Sequence, residues 1–267
     1  NIVPKDNHMD WNLKLRTKLH KLTLKSLVGM ALQKPELDDG YRWEVINELR
    51  GRSDLQTIQR VQKLFSAHNW RKRVLAVDII CQLSSQEKGL PYSPYGCKCA
   101  KNILIQSLTD NHVKVIEAAI YGLGHRKVID ALPLLLSFTT HKNVMFRQAL
   151  SFSLQQYNSL EAIQALISLA TDIDDETRNW ATFALGSIHQ AIDTPQIREI
   201  LWLNTQDSYQ DVIDEALAGL VIRKDPKVHE LIIKVLQAKD SIPSSLFNAI
   251  EEIGDTTLLE LLKSYTK

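Results

Sequence analysis

The chain has 267 residues, 44% of them hydrophobic and 24% charged, with a formal net charge of +1; this balance suits a folded chain and argues against wholesale disorder. No apolar run approaches the ~20 residues that a membrane-crossing helix needs, so a spanning role is excluded. Three cysteines, Cys81, Cys97 and Cys99, are too few and odd in number for a disulfide-stapled secreted scaffold, and a cytoplasmic location is expected.

Residues 1–8 stand apart from the pattern that follows. Met9 is expected as the natural start, with residues 1–8 an added or disordered extension, and the charged start and apolar stretch of a secretory signal are lacking there. Residues 9–37 are expected to form N-terminal capping helices. In "WNLKLRTKLHKLTLKSLVGMALQKP" (11–35), Leu15, Leu19 and Leu22 make a helical stripe, and Lys14, Arg16, Lys18, Lys21 and Lys25 would form a solvated outer face.

From residue 38 onward one frame returns to the end of the chain. It runs through Tyr41, Arg42, Val45 and Leu49, then Lys72, Arg73, Ala76, Ile79 and Ile80. The copies become clearest as Val115, Ala119, Gly122 and Leu123; Phe146, Arg147, Leu150, Ser153 and Leu154; and Thr177, Arg178, Ala181, Ala184 and Leu185. Val212, Ala216, Gly219 and Leu220 follow, then Ser245, Ala249, Ile253 and Gly254. The leading residues are 31, 43, 31, 31, 35 and 33 apart, a period that signals a solenoid of repeats. Positions 4, 7 and 8 of the frame fall on one helical face, and their small residues admit a close neighbour. After each such helix a second amphipathic run follows, such as "SLEAIQALISLA" (159–170), so one unit is a helix hairpin whose apolar face is buried only by stacking. Gly124 and Gly186 are expected to end helices in left-handed caps, and Asp193-Thr194-Pro195 and Asp225-Pro226 to start them.

Candidate functional residues concentrate in the second repeat. "HNWRKR" (68–73) places Trp70 beside Arg71, Lys72 and Arg73 at a helix start, an expected partner-binding surface. The 43-residue spacing marks an insertion, "SSQEKGLPYSPYGCKC" (84–99), predicted as a loop over 84–96 that offers Tyr92 and Tyr95 for binding. Asp78 lies inside the apolar helix "RVLAVDIICQL", where other repeats place Tyr121, Phe152 or Phe183. It is the one candidate catalytic group, as a buried acid with a raised pKa, the competing reading being an acid paired with a neighbouring arginine. Cys97 and Cys99 have no second pair, so no metal is expected, and no cofactor is called for. Trp180 is assigned to packing between repeats. Glycine-rich phosphate loops, HExxH helices and nucleophile elbows are missing, which favours a protein that is not an enzyme.

The near-neutral total hides an asymmetry. Residues 1–134 carry 21 Lys and Arg against 13 Asp and Glu, and residues 135–267 carry 11 against 18, so one half is at +8 and the other at −7. Such a field would steer a charged partner.

The small and apolar frame, its period of about 31 residues, and above all "RNWATFALGS" (178–187) resemble the bacterial HEAT-like repeat proteins, the group whose repeats also occur in phycobilisome lyases. The resemblance covers about residues 38–265. It implies an all-α fold, a right-handed α-α superhelix of about seven helical hairpins with an N-terminal helical cap, and a protein-binding scaffold using its concave surface. No residues carry over a lyase's cofactor site. One concrete expectation is an immunity protein that covers the active site of a cognate toxin. The alternative is a HEAT-like-repeat DNA-binding protein or alkylpurine DNA glycosylase, with nucleic acid as the partner and Asp78, Trp70 and Arg73 as its residues.

Overall fold

The computed structural model describes residues 14–33, 39–85, 93–238 and 242–263. It divides into two compact units, Asn1–Val128 and Ile129–Lys267. In the first unit, helix α1 (residues 14–20) and α2 (Leu24–Gln33) precede α3 (Asp39–Arg50), α4 (Leu55–Phe65), α5 (Trp70–Ile80), α6 (Cys97–Ser107) and α7 (Val113–Arg126). The second unit holds α8 (Leu132–Leu136), α9 (Val144–Leu154), α10 (Leu160–Leu169), α11 (Asp175–Phe183), α12 (Pro195–Asn204), α13 (Gln210–Ile222), α14 (Val228–Ala238), α15 (Ser244–Ile253) and α16 (Thr256–Lys263). From α3 onward, odd-numbered helices are the first members of the hairpins and even-numbered ones the second.

The frame becomes a core because its positions 0, 4 and 8 fall on one face. Val115, Ala119 and Leu123 are buried on α7; Phe146, Leu150 and Leu154 on α9; and Val212, Ala216 and Leu220 on α13. Within each unit the first helices stack on one another, α3 on α5 on α7 and α9 on α11 on α13 on α15. The even-numbered helices α4, α6, α10 and α12 each pack against the first helix of the next hairpin. Leu19, Leu27, Val28 and Ala31 extend this core to the N-terminal helices. Side-chain caps begin the helices: Asp54 accepts from the Thr57 N–H, Ser159 from Ala162, Asp174 from Thr177, and Thr194 from Ile197 with Pro195 in the first turn, each satisfying an otherwise unpaired donor.

Two sequence expectations are corrected. The insertion is not a plain loop over 84–96: Ser84 and Ser85 pair antiparallel with Pro94 and Ser93, so its two ends are clamped together, while residues 86–92 lie outside the described residues. Nor do Gly124 and Gly186 cap helices. Helix α7 runs on to Arg126, the left-handed residue being Lys127 (φ 48°), and Lys224 (φ 49°) plays the same part after α13. Gly186 lies in a wider turn, Ala184–Ile188, that prolongs α11 with π-type hydrogen bonds. Close packing rather than backbone freedom explains that glycine, since a Cβ there would sit 3.0 Å from the Glu215 carbonyl oxygen and 3.3 Å from the Gly219 Cα.

Two arginine devices tie hairpin to hairpin. The first uses the arginine at position 1 of the frame. Arg73 grips both carboxylate oxygens of Asp110 (2.7 and 2.8 Å), Arg147 those of Asp172 (2.6 and 2.8 Å), and Arg178 those of Asp207 (2.7 and 2.8 Å). Each arginine also donates to a carbonyl in the turn before its own helix: Ala67 and His68, His141, and Asp172 and Ile173, respectively. Each aspartate accepts a backbone N–H two residues on, from His112, Asp174 or Tyr209. The flat, multiply donating guanidinium suits this double role.

The Arg178 guanidinium, hydrogen-bonded to Asp207, holds that carboxyl below its ordinary range. A carboxylate whose folded pKa lies below its unfolded value of about 3.9 adds stability above that value and loses it as pH falls through the folded pKa. Urea midpoints are therefore expected to be level from neutral pH to about pH 5 and to fall below about pH 4. Asp207→Asn should lower the midpoint at pH 7 by about 1–3 kcal/mol of stability, and should flatten the acid drop. An acid drop as steep as the parent's would remove Asp207 from the explanation.

Candidate functional site

The 3.6-residue repeat that buries one face of each first helix directs another set of side chains to the opposite side. On α5 these are Arg71, Val74, Asp78 and Cys81, spaced three or four residues apart. Helix α7 contributes Lys114, Glu117, Ala118, Tyr121 and His125, and α3 contributes Arg42, Trp43 and Arg50. With Trp70, they enclose a cleft of about 640 Å³ within the first unit.

Asp78 is its most constrained member. It is buried at 8% exposure, and Arg42 Nη2 donates to its Oδ2 at 2.9 Å. Arg50 Nε donates to its backbone carbonyl at 2.8 Å, and the Cys81 thiol donates to the same oxygen at 3.2 Å. Burial pushes the Asp78 carboxyl above its ordinary range, against the opposing pull of the Arg42 and Arg50 charges. Both expectations for this residue therefore meet in one place: the acid is buried, and it is ion-paired with arginine. Burial likewise pushes the Cys81 thiol up to about 11 and depresses His125, which the Arg50 charge depresses further. At neutral pH the cleft thus holds a buried thiol beside the Arg42–Asp78 pair and, at an exposed position of its lining, a neutral imidazole, and neither supplies an activated nucleophile.

Nearer the opening, aromatic rings carry cations. The Arg71 guanidinium carbon lies 4.7 Å from the Trp70 ring centroid, and those of Arg42 and Arg50 lie 5.5 and 5.1 Å from the Trp43 ring, within cation–π range. Trp70 stacks on His112 at 3.9 Å with an 8° interplanar angle. Trp43 is 38% exposed. Lys114 pairs with Glu117 at 2.9 Å and stays half exposed.

Of the residues singled out from sequence, the fold brings Trp70, Arg71 and Asp78 together. It does not bring the rest. Arg73 is engaged in the ladder with Asp110, and Lys72 is exposed outside the cleft lining. Tyr95 is half buried at the clamped base of the insertion, its N–H donating to Leu83 and its carbonyl accepting from Arg126. Tyr92 lies outside the described residues. Sequence reasoning missed Trp43, Arg50, Lys114 and Glu117. The available signal was the equivalent face of three successive first helices, which becomes visible only once their frames are aligned and the outward positions compared. Trp180 does pack between repeats, meeting Phe152 of α9 edge-on at 5.3 Å, and it meets Phe183 of its own helix at 6.1 Å. Among the described residues, no three His, Cys, Asp or Glu gather as a metal site would require, and no helix is long and apolar enough to cross a membrane.

Residues 102–186 match the family model of HEAT repeats. Over 121 residues the sequence is 33% identical to protein YibA of Escherichia coli strain K12, and equally so to that of strain O157:H7, covering 45% of this chain. The match spans 42% of the length of these curated relatives. The X-ray structure of E. coli YibA aligns at a TM-score of 0.70 and 24% identity, over 99% of this chain and 91% of that one. A chain from the structure of Kap95p with RanGDP aligns at 0.55 and 15% identity, over 95% of this chain and 36% of that one. An engineered protein aligns at 0.52 and 18% identity, over 78% and 97% respectively. At these identities, the structural likenesses establish the fold alone.

Proposed function

We propose that this HEAT-like repeat protein is a non-enzymatic binding module that docks a protein partner through the α3–α5–α7 face of its first unit. One observation carries the reading: a roomy cleft in which tryptophans and arginines are held near the surface by defined contacts, while the single buried acid is bound to Arg42. Tryptophan and arginine supply a disproportionate share of binding energy at protein interfaces, and side chains fixed beforehand lose little entropy on docking. A catalytic acid would need to reach a substrate proton, whereas the Asp78 carboxylate is engaged by the Arg42 guanidinium and shielded by burial. Repeat stacking offers extended binding surfaces in general, and the fold neighbour Kap95p is described by its binding to RanGDP. Neutralisation of a toxin by covering its active site is one form of capture that this surface would serve.

The test uses a double variant, Trp43→Ala with Trp70→Ala. After nuclease treatment, a stoichiometric protein partner that co-purifies with the parent chain should be lost or weakened at least about tenfold. The far-UV circular dichroism and unfolding midpoint should stay close to the parent's. Undiminished binding by the folded double variant would place the docking surface elsewhere.

A further inference from the structure

We infer that the second unit carries a docking face of its own, on α9, α11 and α13, and that this face takes a lysine- or arginine-rich segment of a partner protein. The segment's cations meet Glu176 and Asp211, and their aliphatic stems lie against Trp180 and Phe183. The inference goes beyond the docking reading above and uses none of that cleft's residues, so either can fail alone.

The repeat frame places this face. In the first unit the cleft is lined by frame position −1 (Arg71, Lys114), position 3 (Ala118) and position 6 (Asp78, Tyr121) of the first helices. In the second unit the same positions hold Glu176 and Asp211 at −1, Trp180 at 3, and Phe152 and Phe183 at 6. First helices stack in the same order within each unit, so these side chains share one face of α9, α11 and α13. Contacts between the helices agree: the Tyr209 hydroxyl at the start of α13 donates to Glu176 Oε1 of α11 at 3.0 Å, and Trp180 of α11 meets Phe152 of α9. Glu176, Trp180 and Phe183 are half-buried, and Asp211 is exposed.

Charge selects the occupant. Helices α9, α11 and α13 hold two basic side chains, Arg147 and Arg178, and both are bound to the turn aspartates Asp172 and Asp207. Against them α11 and α13 hold Asp175, Glu176, Asp211, Asp214 and Glu215. Helix α15, which packs on α13, adds Glu251 and Glu252 without a lysine or arginine. Glu176 accepts its hydrogen bond from a neutral hydroxyl, which satisfies an oxygen without cancelling the charge. The donor registers that charge: the Glu176 bond and carboxylate, with Asp211 and Asp175 adding to them, push the Tyr209 hydroxyl up to about 12. Burial raises the Glu215 carboxyl, and Asp214 and Asp211 push it the same way. Residues 129–267 as a whole carry 11 Lys and Arg against 19 Asp and Glu, a field that speeds encounter with a cationic chain and repels phosphates. A lone divalent ion does not fit, because among the described residues no three His, Cys, Asp or Glu gather. Carboxylates at two neighbouring helix starts, with aromatic rings a turn further on, suit a chain of cations on apolar stems.

Fluorescence anisotropy on the full chain tests this with a labelled twelve-residue Lys/Arg-rich peptide that lacks tryptophan, and with the same peptide carrying glutamate for each base. The basic peptide is expected to bind saturably, to weaken with added salt, and to lose at least about tenfold in affinity in Glu176→Lys with Asp211→Lys. Glu176→Gln with Asp211→Asn, which keeps an acceptor for the Tyr209 hydroxyl, should show an intermediate loss and hold the parent's melting temperature. Binding should also shift the parent's tryptophan emission along the same titration curve, and Trp180→Phe, which keeps a ring against Phe152 and Phe183, should remove most of that shift. Absence of saturable binding, equal binding of the glutamate peptide, displacement by spermine at matched charge, indifference to both double variants, or an emission shift that survives Trp180→Phe overturns the inference. None of these results touches the α3–α5–α7 reading, which stands or falls on Trp43 and Trp70.

Discussion

Gly219→Leu is expected to destabilise the second unit by at least about 3 kcal/mol, the upper range for overpacking, and to leave it partly unfolded at 37 °C. Gly219 occupies position 7 of its frame, on α13, where that helix meets the wide turn after α11. A Cβ built there would lie 2.6 Å from the Gly186 Cα and 3.1 and 3.2 Å from the two Leu201 methyls. Leucine methyls can shift by changing rotamer, but the Gly186 backbone moves only with the whole α11 end, so the strain has no inexpensive outlet. Gly29→Ala is the control: nothing lies within 4 Å of its Cβ position, and alanine in a helix interior should stabilise by about 0.5–1 kcal/mol. Urea unfolding of both variants, followed by circular dichroism, gives the comparison. A Gly219→Leu midpoint within error of the parent's would mean that the two backbones do not approach as described.

Arg223→Met should have the second large effect, about 3–5 kcal/mol, roughly two stranded carbonyls at ~1–3 kcal/mol each plus the loss of charge-assisted bonds. The Arg223 guanidinium is buried and donates to five backbone carbonyls: Leu185, Gly186, His189, Ile192 and Gly219. Most of these belong to the end of the preceding first helix and the turn beyond it, where carbonyls have no intrahelical partner. Methionine fills comparable space without donating, so its cost isolates the hydrogen bonds from packing. Hydrogen exchange should then show faster opening at residues 184–192, with protection around α9 less affected. Uniform loss of protection across the unit would instead indicate that this arginine holds the whole stack.

The same device occurs at equivalent positions of two other repeats. Arg126 donates to the carbonyls of Ile80, Leu83 and Tyr95, and Arg52 to those of Leu19, His20 and Leu22. All three arginines stand eleven residues after the lead of their frames, at 41, 115 and 212. This regularity was present in the sequence and escaped notice because an arginine at or just past a helix end looks like ordinary solvated charge. Its meaning depends on which carbonyls the neighbouring hairpin leaves unpaired, and no local pattern states that. The ladder of Arg73, Arg147 and Arg178 was half legible: the frame exposed the arginines, while their aspartate partners lie 25 to 37 residues away.

The sequence by itself determined the helical repeat, its period, and the small and apolar residues at positions 4, 7 and 8 that share one face, because each follows from local helical geometry repeated along the chain. It also marked Trp70 with Arg71, Lys72 and Arg73 as one cluster and Asp78 as a separate candidate on the same helix, of which the fold brings Trp70, Arg71 and Asp78 to one cleft. Tertiary structure alone decided that Arg42, Trp43, Lys114 and Tyr121 join them, that Arg73 belongs to a structural ion pair, and that Gly186 marks a close approach rather than a helix cap. The physical reason is common to all three. A helix periodicity fixes which way a side chain points relative to its own axis, but what it meets there depends on how neighbouring hairpins stack, and that is set by packing between segments distant in sequence.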